Sequence, residues 1–454
     1  MSSSEHPDRP TPEDDAPEQD NPAHDDPELD APELDAPAHD DTGATRAGRA
    51  RRRRRVLRWV VGALALLLVV SGAAGWFLYH KLNGNLRADG LAEHLLGDDP
   101  HRPTVEPSAG GAENILLIGS DDRNGSNAAY GDKGSGARSD TTILLHLSAD
   151  RKHVTAVSIP RDTLVPIPSC ELPGGRRTPA MNAQFNWAYA VGGTACTIRT
   201  VEQITDVRID HFVVVDFTGF KKMVDAVGGV DVCLPTAVHD KDAKLNLPAG
   251  RQHIDGSQAL GFVRVRETLG DGSDTQRMAR QQQFLSSLIQ KIEGSGVLYN
   301  PIRLYGLLDA ATSAVTVDPG LDSLSKLYDL AEGLRSTPSG QMVFLTAPIE
   351  PDPADPNRDR FVQPQAGTLW QAIREDRPVD VTGVTTGARP GAGHTTGTPS
   401  ATGSPAASGS SAASGSSGAP GASARGSASG AATPSPTSSY TGRAANQDIC
   451  ATTP

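Results

Sequence analysis

One stretch constrains this chain more than any other. Residues Val56 to Leu78 read VLRWVVGALALLLVVSGAAGWFL, and no side chain from Trp59 to Tyr79 is an acid, a lysine or an arginine. About twenty apolar residues in a helix span roughly 30 Å, the thickness of a bilayer's hydrocarbon core. The run therefore predicts a transmembrane helix at 56–80. A cleaved signal peptide competes, since Ala73-Ala74-Gly75 offers small residues. Such a peptide has an apolar region of only about 7–15 residues near the start of a chain. Arg46, Arg49 and Arg51 to Arg55 precede the run, so the positive-inside rule keeps that side cytoplasmic. Trp76, Tyr79, His80 and Lys81 suit the outer interface. The chain is thus expected to cross the cell membrane once, with everything after about residue 82 outside the cytoplasm.

The segments at either end cannot offset the entropy of ordering them. Residues 1–55 form an acidic, proline-rich tail that ends in the arginine cluster. Its first 45 residues, with fifteen acidic side chains and one basic one, account for the formal charge of -12, and the rest is close to neutral. An acidic tail excludes the basic face that nucleic-acid binding needs. Residues 81–110 read as a stalk, and 387–454 as a flexible tail of Ser, Gly, Ala and Pro, suited to reach and not to chemistry.

Between them, 111–386 reads as one α/β domain with a mixed central sheet flanked by helices, an α/β/α sandwich. Apolar runs at Asn114 to Ile118, Thr141 to Leu147, Val154 to Ile159, His211 to Phe217, Val230 to Leu234 and Met342 to Thr346 predict strands. Helices are expected at Met181 to Val191, Cys196 to Ile204, Phe220 to Val227, Thr275 to Ile292, 301–313 and 321–335. The cysteines, Cys170, Cys196, Cys233 and Cys450, all fall on the outer side, where disulfides persist. Three pairings are open; Cys170 with Cys196 is favoured because the two bracket one loop-and-helix segment.

Charged residues gather at the ends of the predicted strands, where open α/β sheets bind ligands. Asp121 follows the first strand, Arg138 and Asp140 open the second, and Arg161 and Asp162 end the third. Phe262-Val-Arg264-Val-Arg266 alternates as a strand would, with both arginines on one face. Asp274, Arg277 and Gln281 share a face of the long helix at 275–292, with Arg280 beside them. No histidine pair, serine or cysteine nucleophile is evident. Arginine's planar fork suits phosphate oxygens, and aspartates suit Mg²⁺ shared with a phosphate. Together they point to phosphoryl transfer, in which positioning and charge neutralisation dominate. Taken singly, each has a plainer reading. Asp121 and Asp140 could cap turns, Arg264 and Arg266 could line an exposed sheet face, and Arg277, Arg280 and Gln281 could be the wet side of a helix.

The strings NILLIGSDDR, RSDTTILLHL, VSIPRDT, HFVVVDFTGFKKMVDAVGGVDVCLP, LPAG, DGSQALGFVRVRE and DTQRMARQQQFL resemble, in order and spacing, the LytR–CpsA–Psr family of cell-wall proteins, actinobacterial members most of all. The resemblance covers about residues 112–293. It implies a Mg²⁺- or Mn²⁺-assisted phosphotransferase that moves a glycopolymer from a polyprenyl-pyrophosphate carrier to a peptidoglycan acceptor, usually the 6-hydroxyl of N-acetylmuramic acid. By motif, Asp121 and Asp140 resemble the metal-associated carboxylates. Arg138, Arg161, Arg264 and Arg266 resemble the pyrophosphate-binding arginines, and Asp274, Arg277 and Gln281 the helix residues that complete the site. Two departures stand out. Thr178-Pro179-Ala180 occupies a place where many members carry a lysine, leaving Arg176 or Arg177 to substitute. A Gly-rich insert at 125–136 also lengthens the Asp121–Asp140 spacing. Three other classes compete: a lipid-pyrophosphate hydrolase using the same residues, a regulatory attenuator, for which no DNA-binding motif is visible, and a wall-anchored scaffold.

Overall fold

The computed structural model describes residues 42–97, 102–120, 139–265, 274–294, 296–382, 440–448 and 450, with backbone alone at 42–51, 108, 274 and 298. Asp121, Arg138, Arg266, the insert at 125–136, the acidic part of the N-terminal tail and residues 383–439 lie outside the described residues. The chain divides into two units, 1–72 and 73–454.

In the first unit, helix α1 (Thr42–Asn85) begins. Its stretch from Arg52 to Asn85 is, among the described residues, the one helix long and apolar enough to cross a membrane. Trp59, Leu66 and Val69 are exposed along it, as expected of a surface whose solvent is lipid.

In the second unit, nine strands among the described residues make one mixed sheet. In chain order they are β1 (Arg87–Ala88), β2 (Glu113–Ser120), β3 (Ser139–Leu147), β4 (Val154–Ile159), β5 (His211–Asp216), β6 (Val315–Val317), β7 (Met342–Thr346), β8 (Val381–Thr382) and β9 (Tyr440–Ala444). Across the sheet the order is β1-β6-β5-β2-β3-β4-β7-β9-β8. The strands β2, β3 and β4 pair antiparallel, while β5 runs parallel to β2 and β7 parallel to β4. Alternation along each strand sends side chains to two faces. Leu116, Leu144, Val157 and Leu345 enter one core, with helices α2 (Gly90–Leu96), α3 (Trp187–Thr205) and α9 (Gln365–Arg374). Ile143, Leu147, Ala156 and Phe344 enter the other, with α6 (Asp274–Gly294) and α8 (Leu324–Ser336). The expected sandwich is what forms. A third core joins α4 (Phe217–Ala226), α5 (Gly256–Arg264) and α7 (Pro301–Ala314) to a hairpin of Val230–Leu234 and Gly250–Ile254.

Four expectations are corrected. The strand expected over 262–266 is a helix end in its described part, because α5 runs to Arg264. A capping box decides this: Asp255 accepts from the Gln258 backbone, while the Gln258 side chain accepts from the Asp255 backbone. Residues 181–191 do not form one helix. Met181–Gln184 is a strand paired with Leu164–Ile167, and α3 starts at Trp187 and breaks its geometry at Gly193, φ 63°. The stalk at 81–110 is largely folded: Leu82, Ala92, Leu95 and Leu96 are buried, and Arg199 donates to the α2 carbonyls of Leu95 and Leu96 at 3.3 and 3.1 Å. Last, the C-terminal tail is not loose throughout. Residues 440–444 enter the sheet between β7 and β8, and Cys450 is bonded to Cys233 across 217 residues. Gln290 holds the return by donating to the carbonyls of Ala445 and Gln447 at 2.7 and 3.1 Å. Cys170 and Cys196 are bonded to each other.

Candidate active site

Strands β3 and β4 are antiparallel neighbours, so the start of one lies beside the end of the other: Thr142 faces Ile159 in register. This puts Asp140, the second residue of β3, next to Arg161, two beyond β4. Arg161 Nη1 donates to Asp140 Oδ1 at 2.6 Å and its Nε to Asp162 Oδ2 at 3.3 Å. Strand β2 ends alongside with a break in register between Gly119 and Ser120. A bulge of this kind bends a strand end and re-aims its last side chains. Gly119 leaves little room there, since an added Cβ would sit 3.2 Å from the Cβ of Thr141.

Helix α6 closes the site from above. Its apolar stripe, with Met278, Phe284 and Leu285, packs down, and two of the three residues that could have formed a wet face are in fact buried. Arg277 is 4% exposed and Gln281 9%. Arg277 Nη2 donates to the Asp140 carbonyl at 3.3 Å. Gln281 Nε2 donates to Thr141 Oγ1 at 3.1 Å and to the Val263 carbonyl at 3.2 Å. Arg280 Nη2 donates to the Val265 carbonyl. Gln281 thus ties the end of α5 to the start of β3, and Arg280 holds the same end of α5 to α6. Buried amides and guanidinium groups find partners, and here these are three backbone carbonyls and the Thr141 hydroxyl, all on segments that carry the site.

Asp140, Arg161, Arg277 and Gln281 line one narrow cleft, with Thr142, Ser158 and Met278 among its walls. Arg264 does not line it. It ends α5 next to Val263, whose carbonyl Gln281 holds, and its guanidinium carbon sits 4.8 Å from the Phe217 ring centre, a cation–π stack. Asp274 is the first residue of α6. Among the described residues no group of three His, Cys, Asp or Glu side chains could hold a metal. Asp140 alone still fits a magnesium ion of the kind that keeps its waters and takes one or two carboxylates plus substrate phosphate.

Sequence reasoning missed two sets of residues. Gln282, buried, donates to Ser158 Oγ at 3.3 Å and Thr346 Oγ1 at 3.1 Å, linking α6 to β4 and β7. A run of three glutamines at the centre of a helix that packs on a sheet was the available signal. Gln184 and Trp187, behind Asp162, were hidden by the helical reading of 181–191.

The profile of the LytR_cpsA_psr family matches residues 78–374. The chain is 32% identical over 322 residues to the "Cell wall biosynthesis protein LcpA" of Corynebacterium glutamicum, covering 65% of this chain but only 60% of that protein. It is 32% identical over 256 residues to the "Polyisoprenyl-teichoic acid--peptidoglycan teichoic acid transferase TagU" of Bacillus cereus, covering 56% of this chain and 75% of that one. Among solved structures it is similar to the "LytR-Csp2A-Psr enzyme from Actinomyces oris", with 25% identity, a TM-score of 0.45, and coverage of 60% and 93% of the two chains.

Proposed function

The chain belongs to the LytR_cpsA_psr family, and from that premise we propose that it is a membrane-anchored phosphotransferase. It attaches a glycopolymer, carried on a polyprenyl pyrophosphate, to peptidoglycan, at the 6-hydroxyl of N-acetylmuramic acid. The observation that carries this reading is the cleft itself. Two arginines from different elements, Arg161 and Arg277, converge on the Asp140 segment, a layout made to neutralise phosphate charge. The transferase name of the similar Bacillus protein supports it.

In the reaction the glycan hydroxyl attacks the phosphorus next to the transferred sugar. A new oxygen–phosphorus bond forms, the bridging oxygen–phosphorus bond breaks, polyprenyl phosphate leaves, and the hydroxyl proton is released to solvent. Arg161 and Arg277 hold the pyrophosphate and neutralise it. Asp162 orients Arg161 through its Nε. Gln281 fixes the start of β3 against α5. Arg138 and Arg266 add pyrophosphate contacts by motif, while Arg264, stacked on Phe217 outside the cleft, does not take the phosphate role that its motif implied. Asp140, with Asp121 by motif, would hold Mg²⁺ or Mn²⁺, which supplies further neutralisation of the charge on the leaving phosphate.

The helix at Arg52–Asn85 anchors the protein, and the arginines before it keep the N-terminus cytoplasmic. The cysteines are all in disulfides, which supports a domain outside the cytoplasm.

The test is transfer by the full-length protein in detergent, with lipid-linked glycopolymer and peptidoglycan fragments, before and after chelation. Transfer that needs added Mg²⁺ or Mn²⁺, with the requirement weakened in Asp140→Asn, is expected. Full activity in excess EDTA would remove the metal. Release of polyprenyl phosphate at the same rate without a glycan acceptor would make the protein a hydrolase.

A further inference from the structure

Trp187 stands beside the cleft as a large aromatic side chain that the core does not use. It opens α3 and is 47% exposed, whereas Phe185 and Ala188 around it are buried. The ring is nonetheless fixed. Its Nε1 donates to Gln184 Oε1 at 3.2 Å, Gln184 Nε2 donates to Asp162 Oδ1 at 2.5 Å, and the other Asp162 oxygen accepts from Arg161 Nε at 3.3 Å. Arg161 in turn holds Asp140. One line of hydrogen bonds therefore runs from an exposed indole to the carboxylate of the candidate site.

The backbone repeats the link. The Asn186 amide donates to the Arg161 carbonyl at 3.1 Å and the Phe185 amide to the Thr163 carbonyl at 2.9 Å. In the same segment Thr163 Oγ1 and Asn186 Oδ1 are buried without hydrogen-bond partners. Proteins satisfy most such atoms, and exceptions cluster where a segment is shaped for something besides its own packing.

The surroundings select the ligand. Elsewhere in this unit the large apolar side chains above half exposure are, among the described residues, Trp76 and Phe77 on α1, Leu91 on α2, Val105 ahead of β2, and Tyr299, Ile302 and Tyr328 around α7 and on α8. Trp187 is thus a single exposed aromatic ring, with only the smaller Ala190 and Val191 one turn further along α3, whereas a protein interface or a lipid chain calls for a larger contiguous apolar patch. A pyranose ring matches it. One face of such a ring presents C–H bonds to the negative face of the indole, and its rim presents hydroxyls to groups such as Gln184. We propose that Trp187 is the platform of a sugar-binding subsite that stacks a pyranose ring of a glycan substrate beside Arg161. The inference rests on the glycan-transfer reading and names one place where the glycan is gripped.

Two variants separate stacking from positioning. Trp187→Ala removes the ring; Trp187→Phe keeps an aromatic face but loses the N–H that holds Gln184. In the full-length protein, Trp187→Ala should raise KM for one glycan substrate roughly tenfold with kcat within about twofold, and Trp187→Phe should stay near wild type. A rise in KM for the acceptor places the ring on peptidoglycan, and a rise for the donor places it on the transferred polymer. Unchanged KM for both, or a fall in kcat shared by both variants, overturns the subsite. A second measurement needs no turnover, so it stands even if the protein transfers nothing. Chitotetraose, an N-acetylhexosamine oligomer, should quench the tryptophan fluorescence of the wild type and not that of Trp187→Phe. No quenching in the wild type, or equal quenching in the two, overturns the proposal.

Discussion

The Arg102–Glu202 pair and the Arg161–Asp140 pair are chemically alike and differently housed. In the first, the side chains are 6% and 3% exposed. Both Glu202 oxygens accept from Arg102, at 2.7 to 3.2 Å, and the Ile209 backbone completes the set by accepting from Arg102 and donating to Glu202, at 3.1 Å each. In the second pair, exposures are 17% and 29%, and the ions border a cleft. Arg102 also borders a cavity, of about 130 Å³ and shared with Arg208 and Asp210, but its guanidinium is committed to Glu202 and Ile209, so the worth of this pair is structural. The open pair keeps its charges where an incoming phosphate meets them. An arginine–aspartate contact therefore says little about function until its surroundings are known.

The largest break in this comparison should come from Glu202→Ala. It strands a buried guanidinium and should cost about 3–5 kcal/mol, read as a lower denaturant midpoint at unchanged slope. Transfer per folded molecule should not change. A loss below about 1 kcal/mol would mean that water reaches the pair. Next comes Arg161→Ala. Hydrogen bonds to charged groups contribute about 1.5–3 kcal/mol, so transfer should slow by roughly tenfold to a hundredfold, while stability moves by less than about 1 kcal/mol. Wild-type turnover by this variant would put the open pair in the same structural class as the sealed one.

The smallest effect is a matter of pH. His211 bonds Asp318 at 3.0 Å, and that bond raises the His211 pKa above its ordinary 6.5 against the opposing effect of burial. The stability from charged His211 is fully present below the unfolded pKa and is lost as pH rises through the raised folded value. Buried His146, between Asn114 and Asp376, behaves in the opposite sense, because desolvation lowers its pKa and stability is lost as pH falls below 6.5. His211→Gln should therefore flatten only the decline above pH 6.5 in melts across pH 5 to 9. An unchanged decline would assign it to other groups. This places His211–Asp318 between the two arginine pairs, as a contact whose charge depends on conditions.

The central strands were legible because β2, β3 and β4 carry short, mostly apolar runs, the pattern of strands covered on both faces. The cleft at their ends followed from Asp140 and Arg161 at two such ends. Helix α6 was legible from its stripe, yet the depth of Arg277 and Gln281 was not, since periodicity gives a face and not what covers it. Residues 262–266 misled because alternation over five residues also fits the end of a helix, and the better signal was Asp255 three residues before Gln258. β9 was invisible for a different reason. Tyr440-Thr-Gly-Arg-Ala444 is short, and only Tyr440 is large and apolar. Its place comes from backbone pairing with β7, from Gln290 and from Cys233–Cys450, none of which a local window sees.

That returning strand bears on how the protein is made. A ribosome delivers β7 well before β9, and β8 pairs only with β9 among the described strands. Until residue 444 emerges, the apolar Met342–Thr346 strand is an unpaired edge on the nascent chain, and β8 has no neighbour to join. Such edges template pairing with other molecules, and contacts between residues far apart in sequence form late. A chaperone or translocation partner that shields this edge would act during that interval. A ribosome stalled between β8 and β9 would leave behind an intact cleft on a self-adhesive sheet.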